Sequence, residues 1–336
     1  MVRDDREAQL LTAETLAPYL VRRGLCNAAD EIEARALGGG ISNVVLAAFA
    51  HGRWIVVKQA LGRLRVQDEW LADPRRALRE ADALRVATRL TPGSVPAVLD
   101  VDAEACAIAI THAPPSWRSW KDVLLAGEAD RRVAGQLGRL LAAWHAGTAG
   151  DAEVARELSD DGAFEQLRVD PYYRTASARR PELADAFARV IERMAQTRTC
   201  LVHGDYSPKN VLVGNGVCVL DFEVAHYGDP SFDVAFMLNH LLLKLIHLPA
   251  NAEALSGCAE AFLSTYRAGV PAQLQPDEAH VVAQLGCLMV ARVDGKSPAE
   301  YLTADERETA RAVGSRLLLA PVATVAEAIA RVRAAA

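Results

Sequence analysis

The chain has 336 residues, which is long enough for two lobes or two modest domains. Hydrophobic residues make up 51% of it and charged residues 24%, as is typical of a soluble globular protein, and the formal net charge of −6 argues against nucleic acid as a partner. The segment MVRDDREAQ lacks the apolar core of a secretory signal, and no run of about 20 apolar residues is present to span a membrane. The six cysteines are scattered singly, so we expect a reduced, cytoplasmic protein that is neither secreted nor membrane-spanning.

The first part of the chain predicts a helix followed by strands. Leucines recur on one side of residues 9–35, which favours a helix, and residues 37–60 predict two strands with a turn that begins at His51. Residues 74–90 start with a proline suited to a first helical turn and carry an apolar stripe, so they predict a second helix. Residues 95–115 predict two more strands followed by a stiff, proline-containing linker.

The segment 37–60 also has the features of a phosphate-binding site. Gly38, Gly39 and Gly40 have no side chains, so backbone N–H groups in this loop can approach phosphate oxygens closely. Lys58 lies on an apolar strand face, where a cation is costly unless it has anionic partners. Phosphate groups of a ligand or a carboxylate elsewhere in the protein would supply such partners. The alternatives are an ordinary tight turn and a lysine that reaches water from the end of its strand.

From residue 116 onward the pattern is mostly helical. Apolar residues recur at helical spacing, while residues 151–200 are polar and rich in arginine. The predicted helices cover residues 130–145, 231–246, 252–268, 276–292 and 304–333.

The most informative segment is 203-HGDYSPKNVLVGNGVCVLDFE-223. Two short apolar runs, Val211–Val213 and Val217–Leu220, flank Asn215-Gly216, the favoured pair for a two-residue type I′ turn. The segment therefore predicts a β-hairpin whose strands pair outward from that turn.

Counting outward from the turn places Asn210 opposite Asp221. Directly opposed residues have Cβ atoms roughly 4.5–5.5 Å apart. An amide oxygen and a carboxylate would thus lie side by side and could share a hard cation such as Mg²⁺. Asp205 lies on the loop that enters the hairpin, where its carboxylate is free to take a proton from a substrate hydroxyl.

This order of His-x-Asp, Asn, a short hairpin and Asp-Phe resembles the catalytic and metal loops of the protein-kinase-like fold. The glycine after His203, the presence of Glu223 after Asp-Phe, and the stretch 228-GDPSFDVA-235 make it most similar to the aminoglycoside phosphotransferase and small-molecule kinase family.

The resemblance implies an α+β, two-lobed protein-kinase-like fold. A small antiparallel-sheet N-lobe would cover residues 1–115 with a hinge at about 111–115, and a mostly helical C-lobe would cover residues 116–336. The implied activity is Mg²⁺-dependent transfer of the γ-phosphate of ATP, or of GTP, to a hydroxyl of a small molecule. The acceptor would be an aminoglycoside-like antibiotic, a sugar, a thiosugar or an amino alcohol. The alternatives are a catalytically silent nucleotide-binding protein and a protein kinase, which the short segment after Asp221 disfavours.

The resemblance also assigns roles to single residues. Asp205 would orient and deprotonate the acceptor hydroxyl, and Asn210 and Asp221 would hold Mg²⁺ between the phosphates. Lys58, paired with Glu80, would bind the α- and β-phosphates.

The rival partners for that lysine are Asp82 and Glu69, which the family pattern disfavours. The glycine loop, together with Ser42, would cover the triphosphate. Backbone groups of His112 and Ala113 would bind the edge of the adenine.

Other positions of the motif brace it or depart from the family. His203 would brace the catalytic loop, and Asp233, at the start of a helix, would bond its backbone. Ser207 stands where many relatives have a lysine or a histidine, so either the transition state lacks a direct cation or Lys209 bends back to supply one. Glu223 would either approach a second metal ion or form a salt bridge.

Two polar, aromatic stretches, 168–173 and 292–302, do not fit a simple amphipathic stripe. Both fall in the lobe that binds the acceptor in the family, although solvated loops and helix caps are the alternative. The acidic excess of this lobe suits a cationic acceptor, whereas the basic residues of the two stretches suit a carboxylate or phosphate on it. The candidate acceptor contacts are Arg168, Tyr172, Arg292, Asp294 and Lys296.

Overall fold

A computed structural model of the chain describes residues 10–38, 40–66 and 69–336. Gly39, one of the glycines predicted to cover the phosphates, lies outside the described residues.

The N-terminal part is an antiparallel sheet between two helices. Within the described residues the sheet has the strand order β1-β2-β3-β5-β4. The helices are α1 (Ala13–Arg22) and α2 (Arg76–Leu90), and the strands are β1 (Glu33–Ala36), β2 (Asn43–Ala50), β3 (Arg53–Ala60), β4 (Val98–Asp102) and β5 (Ala107–Thr111).

Strand β3 divides its side chains between two apolar clusters. Ile55 and Val57 are buried in the cluster that contains the leucines of α1, whereas Val56 is buried with α2. Because side chains alternate along a strand, Lys58 lies on the same side as Val56, facing α2.

The predicted helix over residues 9–35 is wrong in its second half. Helix α1 ends at Arg22, and Gly24 follows with φ of +70°, the left-handed conformation that ends many helices. The predicted turn after β2 is confirmed, because His51 and Gly52 have φ of 52° and 72°, both positive as a type I′ turn requires.

The C-terminal part is mostly helical. Its short strands are β6 (Arg118–Ser119), β7 (Cys200–Val202), β8 (Val211–Val213), β9 (Val217–Val219) and β10 (His226–Gly228). Its helices are α3 (Trp120–Leu125), α4 (Arg131–Thr148), α5 (Ala152–Glu157), α6 (Gly162–Phe164), α7 (Thr175–Arg179), α8 (Ala184–Gln196), α9 (Ser231–His247), α10 (Ala252–Gly269), α11 (Glu278–Asp294), α12 (Ala304–Leu319) and α13 (Val325–Ala335), with a π-helix over Glu165–Arg174.

Helix α9 lies at the centre of this part. All of its residues except the last are buried, because α10, α11, α12 and α13 pack around it. Its polar residues Asn239, His240 and Lys244 are therefore inside the protein.

The C-terminal part also differs from the sequence-based expectations. The helix predicted over residues 304–333 is two helices, α12 and α13, because Pro321 has no N–H to continue the first. The stretch 168–173 is a buried π-helix, so the solvated-loop alternative is wrong for it. The division into lobes at residues 111–115 stays a prediction.

Within the described residues, no single helix has both the length and the apolar character needed to cross a membrane. One pair, Ser231–His247 with Pro249–Gly269, meets those requirements together but is bent by 118°.

Candidate active site

A cleft of about 900 Å³ lies between the sheet and the β8–β9 hairpin. The described residues predicted to bind nucleotide line it, apart from Glu80. Apolar side chains from β2, β3, β5 and the hairpin form much of its wall, as suits a flat heterocycle. The lining residues are Leu37, Gly38, Gly40, Ser42, Asn43, Val45, Val56, Lys58, Pro96, Ile110, Thr111, His112, Ala113, Asn210, Leu212, Leu220 and Asp221.

Lys58 is bound by two carboxylates at the inner end of this cleft. Its Nζ lies 2.6 Å from Oε1 of Glu80 and 2.6 Å from Oδ1 of Asp221. Although burial acts to lower the pKa of Lys58, Asp221 and Glu80 outweigh it and raise that pKa, so the ammonium is charged. Asp82, a rival for Glu80, instead pairs with Arg85 at the surface. The predicted Lys58–Glu80 pair is thus present.

The hairpin forms, but its predicted register is wrong by one residue. Val211 pairs with Val219 rather than Leu220, so the turn has three residues, and Asn215 lacks the positive φ of a type I′ turn. The indole ring of Trp117 packs on Gly214, where a Cβ atom would lie 2.4 Å from Nε1. Gly214 therefore belongs to the turn and not to the strand.

The register change moves Asp221 away from a directly opposed position. The carbonyl of Asn210 accepts a hydrogen bond from the N–H of Leu220 at 2.8 Å, which makes Leu220 its neighbour. The backbone then turns at Asp221, which has φ of +71°, a conformation that is uncommon for a residue other than glycine. Asn210 and Asp221 nevertheless line the same cleft.

Asp205 is buried, and its two carboxylate oxygens have different surroundings. Oδ2 lies 2.7 Å from Nη2 of Arg168 and 2.9 Å from Nζ of Lys209, and it accepts a hydrogen bond from Nδ2 of Asn210 at 2.8 Å. Oδ1 has no partner among the described residues. Burial acts to raise the pKa of Asp205, but Arg168 and Lys209 outweigh it and hold the pKa below its usual value. Asp205 is therefore an ionised carboxylate with one oxygen free.

Hydrogen bonds to its backbone hold the loop that carries Asp205 in place. The carboxylate of Asp233 accepts hydrogen bonds from the N–H of His203 at 2.7 Å and from that of Gly204 at 2.9 Å. His203 is neutral, since burial lowers its pKa, and its Nδ1 accepts a hydrogen bond from the N–H of Asp205. Gly204 has φ of +75°, and a Cβ atom there would lie 2.7 Å from the carbonyl oxygen of Val224. Only glycine fits this position without strain.

The donor set between the nucleotide cleft and Asp205 suits a hard cation. The amide nitrogen of Asn210 donates to Asp205, which leaves the amide oxygen as the atom available to a metal ion. Asp221 lines the same cleft, and although burial acts to raise its pKa, Lys58 and Lys209 outweigh it and lower that pKa, so Asp221 is an ionised oxygen donor. An oxygen-binding divalent cation such as Mg²⁺ fits these groups.

Glu223, the other candidate for a metal, is already in a salt bridge. Its Oε2 lies 2.8 Å from Nε of the buried Arg76 and accepts a hydrogen bond from Asn43, and its Oε1 accepts one from Ser42 at 2.7 Å. Glu223 thus joins the hairpin to the start of β2 and to α2. Sequence reasoning missed Arg76, because its partner is distant in the chain.

A second cavity, of about 520 Å³, lies on the other side of Asp205. It is rich in basic side chains from α3, α9 and α11. The lining residues are Lys121, Tyr172, Asp205, Lys209, His240, Lys244, Arg292, Ser297, Glu300 and Tyr301.

Three of the predicted acceptor contacts converge here although they are far apart in sequence. Arg168 and Tyr172 project from the π-helix, and Arg292 projects from α11, with its Nη1 3.3 Å from Oη of Tyr172. The close approach depends on Gly295, because a Cβ atom there would lie 2.9 Å from the carbonyl oxygen of Pro171. Arg168 contacts Asp205 and is not among the residues that line the cavity.

The other two predicted acceptor contacts lie elsewhere. Asp294 is at the end of α11, where its carboxylate pairs with Arg180 at 2.7 Å and with Arg311 at 2.8 Å, so it links helices and does not reach Asp205. Lys296 is exposed. Sequence reasoning also missed Lys244, although a lysine within the apolar run of α9 is itself a local signal.

The chain is similar to known phosphotransferases and small-molecule kinases. The family model described as the phosphotransferase enzyme family (APH) matches residues 33–267. Methylthioribose kinase 2 of Oryza sativa subsp. japonica is 24% identical over 276 residues, which cover 74% of this chain and 64% of that protein. Methylthioribose kinase of Pectobacterium atrosepticum is 27% identical over 237 residues, which cover 60% of this chain and 58% of that protein. The chain thus spans less than two thirds of the length of these relatives.

The fold is similar to that of solved small-molecule kinases. An amicoumacin kinase (hAmiN) in complex with AMP-PNP, Ca²⁺ and Ami superposes with a TM-score of 0.56 at 14% identity, covering 87% of this chain and 90% of that chain. The predicted two-lobed α+β fold is confirmed.

Proposed function

Because the chain belongs to the phosphotransferase enzyme family, we propose that it is a kinase that transfers the γ-phosphate of ATP, or of GTP in its place, to a hydroxyl of a small molecule. The sugar, thiosugar and amino-alcohol acceptors expected from the sequence would bind in the cavity that Asp205 lines. The six unpaired cysteines support a cytoplasmic location.

The observation that carries this proposal is the contact between Asp205, which lines the smaller cavity, and Asn210, which lines the nucleotide cleft. The Oδ2 atom of Asp205 is fixed by Arg168, Lys209 and Asn210, and its Oδ1 has no partner in the described part of the chain. Asn210 and Asp221 line the nucleotide cleft on one side, and Asp205 lines the smaller cavity on the other. Asp205 thus lines the smaller cavity and contacts Asn210, which lines the cleft, so we place the acceptor hydroxyl in the smaller cavity beside the carboxylate of Asp205.

In the reaction, the acceptor hydroxyl donates its hydrogen bond to Oδ1 of Asp205, which orients its oxygen toward the cleft. That oxygen forms a bond to the γ-phosphorus, the bond from phosphorus to the bridging oxygen breaks, and ADP leaves with the electron pair. The hydroxyl proton passes to Asp205 and then to water. Lys209, beside Asp205, offsets negative charge on the transferred group.

Lys58 binds phosphate oxygens of the nucleotide, and its salt bridge with Glu80 fixes the position of its ammonium group. Asn210 and Asp221 would hold Mg²⁺, which when bound neutralises phosphate charge and aligns the γ-phosphate. His112 and Ala113 line the far end of the cleft, where the adenine edge would bind.

The test is ADP release by Asp205→Asn with an acceptor found by screening sugars, thiosugars, amino alcohols, aminoglycosides and hydroxy acids. Asparagine cannot take the proton, so kcat should fall roughly 10²–10⁴-fold, while the affinity for ATP stays near that of the wild type. Asp82→Asn, which changes a surface carboxylate paired with Arg85, is the matched control and should keep full activity. Near-normal turnover by Asp205→Asn would refute the assignment.

A further inference from the structure

The cavity beside Asp205 has an excess of positive charge. Four basic side chains line it, Lys121, Lys209, Lys244 and Arg292, against the two carboxylates of Asp205 and Glu300. Lys209 is 2.9 Å from Asp205, and Lys121 pairs with Glu300. Each of the two carboxylates therefore already has a lysine as its ion-pair partner.

Under the 4.0 Å criterion for a salt bridge, the other two basic residues, Lys244 and Arg292, have no carboxylate partner among the described residues. Lys244 is 1% exposed, and its nearest polar contact is the carbonyl of His240 at 3.4 Å, while its Nζ lies 5.2 Å from the centre of the Tyr301 ring. Arg292 is 7% exposed, and its Nη1 donates to Oη of Tyr172 and to Ser297.

Unused hydrogen-bonding atoms accompany these cations. Nε of Arg292 is buried without a partner among the described residues, and so is Oη of Tyr301, which also lines the cavity. A buried cation is costly unless an anion accompanies it. Burial, reinforced by Arg292 and Lys121, accordingly lowers the pKa of Lys244 to about 7. An anionic group in the cavity would offset this cost and supply the missing acceptors.

We infer, building on the proposed phosphotransferase function, that the acceptor is a small hydroxy compound that carries a carboxylate or a phosphate, and that Lys244 and Arg292 bind this anionic group while the hydroxyl contacts Asp205. The same charges disfavour acceptors that are themselves cationic, such as amino alcohols and aminoglycosides, because like charges in a partly dehydrated cavity repel.

The first experiment compares three forms of one scaffold with the full chain and Mg²⁺-ATP: an aldopentose, its aldonic acid and its 5-phosphate. ADP release should give a kcat/KM for the acid, the phosphate or both that is roughly ten- to a hundredfold above that of the neutral sugar, the range for a charge-assisted contact. The stronger of the two charged forms identifies the anion. Equal or better use of the neutral sugar, or of a cationic amino alcohol, would overturn the inference.

Substitutions of Lys244 and Arg292 test whether these two residues bind the anionic group of the acceptor. Lys244→Met and Arg292→Gln should raise the acceptor KM by roughly ten- to a hundredfold and leave the ATP KM unchanged. Lys296→Met is the matched control, because Lys296 is exposed and close in sequence to Arg292 but does not line the cavity. Unchanged acceptor KM values in Lys244→Met, which removes a buried charge and should fold well, would contradict the inference.

Sulfate binding tests the anion site without a known acceptor. With Mg²⁺-AMP-PNP present to fill the nucleotide cleft, sulfate should raise the Tm of the wild type and of Lys296→Met but not that of Lys244→Met. An equal rise in all three proteins would overturn the anion site. If sulfate behaves as expected while no acceptor of any charge is phosphorylated, the anion site is supported and the proposed function fails instead.

Discussion

Arg168 contacts Asp205 and influences both the position and the pKa of its carboxylate. This contact gives a prediction about the pH dependence of activity. Its Nη2 lies 2.7 Å from Oδ2 of Asp205, and its Nε donates to the carbonyl of Gly204 at 2.8 Å. The guanidinium therefore both fixes the carboxylate and helps to keep its pKa below the usual value. Arg168 is a positioning residue in the proposed reaction.

Removing this charge should raise the pKa of Asp205. Since the ionised carboxylate is the active form, activity is lost as the pH falls through that pKa, and the acid limb of the kcat/KM profile should move to higher pH in Arg168→Gln. An opposite charge at this range shifts a pKa by roughly 1–3 units, so we expect a displacement of about one unit or more. Arg168→Lys should restore part of it. A lower kcat with an unmoved acid limb would show that the role is only structural.

Single residues were the most predictable part of the site. Lys58 stands out because it is a charged residue in an apolar strand, and Asp205 stands out because it lies next to a predicted hairpin. Both features can be recognised from the neighbouring residues in the sequence. The partner of Glu223 was not predictable, because Arg76 is distant in sequence and comes near only through the packing of α2 on the sheet. Lys244 was visible as a lysine in an apolar helix, but which cavity it lines depends on the packing of α9, α3 and α11.

At the scale of elements, Gly204 determines the geometry of the catalytic loop. It combines φ of +75° with a site where a Cβ atom would collide with the carbonyl of Val224. Gly24 has a similar φ of +70°, but apart from its chain neighbours no heavy atom of the described residues lies within 4 Å of its Cβ position. Comparing alanine substitutions at the two glycines therefore separates the free-energy cost of a left-handed backbone from that of a steric collision.

Gly24→Ala should lower the free energy of unfolding by about 1–2 kcal/mol, the cost of a left-handed alanine. Gly204→Ala should lose about 1–3 kcal/mol more from overpacking, and it should also lose phosphoryl transfer because Asp205 is displaced. Urea unfolding of the two variants measures the difference. Equal stabilities would mean that the loop moves aside without cost.

The elements themselves were predicted unevenly, for physical reasons. Helices α4, α10 and α11 follow apolar stripes and α9 follows a nearly continuous apolar run, and all four were expected close to their observed bounds. The hairpin register was not, because the indole of Trp117 takes the space beside Gly214 and a pairing rule based on the turn alone cannot include it. The π-helix of Glu165–Arg174 has a spacing that the α-helical pattern does not describe, so no helix was predicted for residues 168–173, which were offered as acceptor contacts with solvated loops as the alternative.

At the scale of the whole molecule, Glu223 joins the two parts of the chain. It pairs with Arg76 on α2 and with Ser42 and Asn43 at the start of β2, on the side of the nucleotide cleft away from the residues 111–115 linker. Both Glu223 and Arg76 are buried, so removing one charge leaves the other without a counter-ion.

Glu223→Gln should therefore lower the free energy of unfolding by about 3 kcal/mol or more, and it should raise the ATP KM because the loop over the phosphates loses its anchor. Glu260→Gln is the control, since the Arg131–Glu260 pair is 3.5 Å apart and more than half exposed on both sides. We expect that variant to lose less than about 1 kcal/mol. Equal losses in the two variants would show that Glu223 contributes no more than a surface charge.

Lys244 couples the stability of the whole molecule to pH. Its pKa is about 7 in the folded protein, against an ordinary value of 10.5. Between these two values the unfolded chain binds a proton that the folded protein has released, so this group makes stability rise with pH above 7. The groups that set this pKa or lie beside the ammonium are Arg292, Lys121 and His240 among the bases, Glu300 and Asp122 among the acids, and Tyr301.

The prediction concerns the difference in the free energy of unfolding between two proteins. Most other titrating groups contribute equally to both proteins, so their contributions cancel. The free energy of unfolding of the wild type minus that of Lys244→Met should increase from pH 7 to pH 9, with a slope of at most about 1.4 kcal/mol per pH unit. Sulfate should flatten the slope, because an anion beside the ammonium favours its charged form and raises the pKa of Lys244. Urea unfolding at pH 7, 8 and 9, with and without sulfate, provides the measurement. A difference that stays constant over this range would mean that Lys244 keeps its proton in the folded protein and already has a counter-charge there.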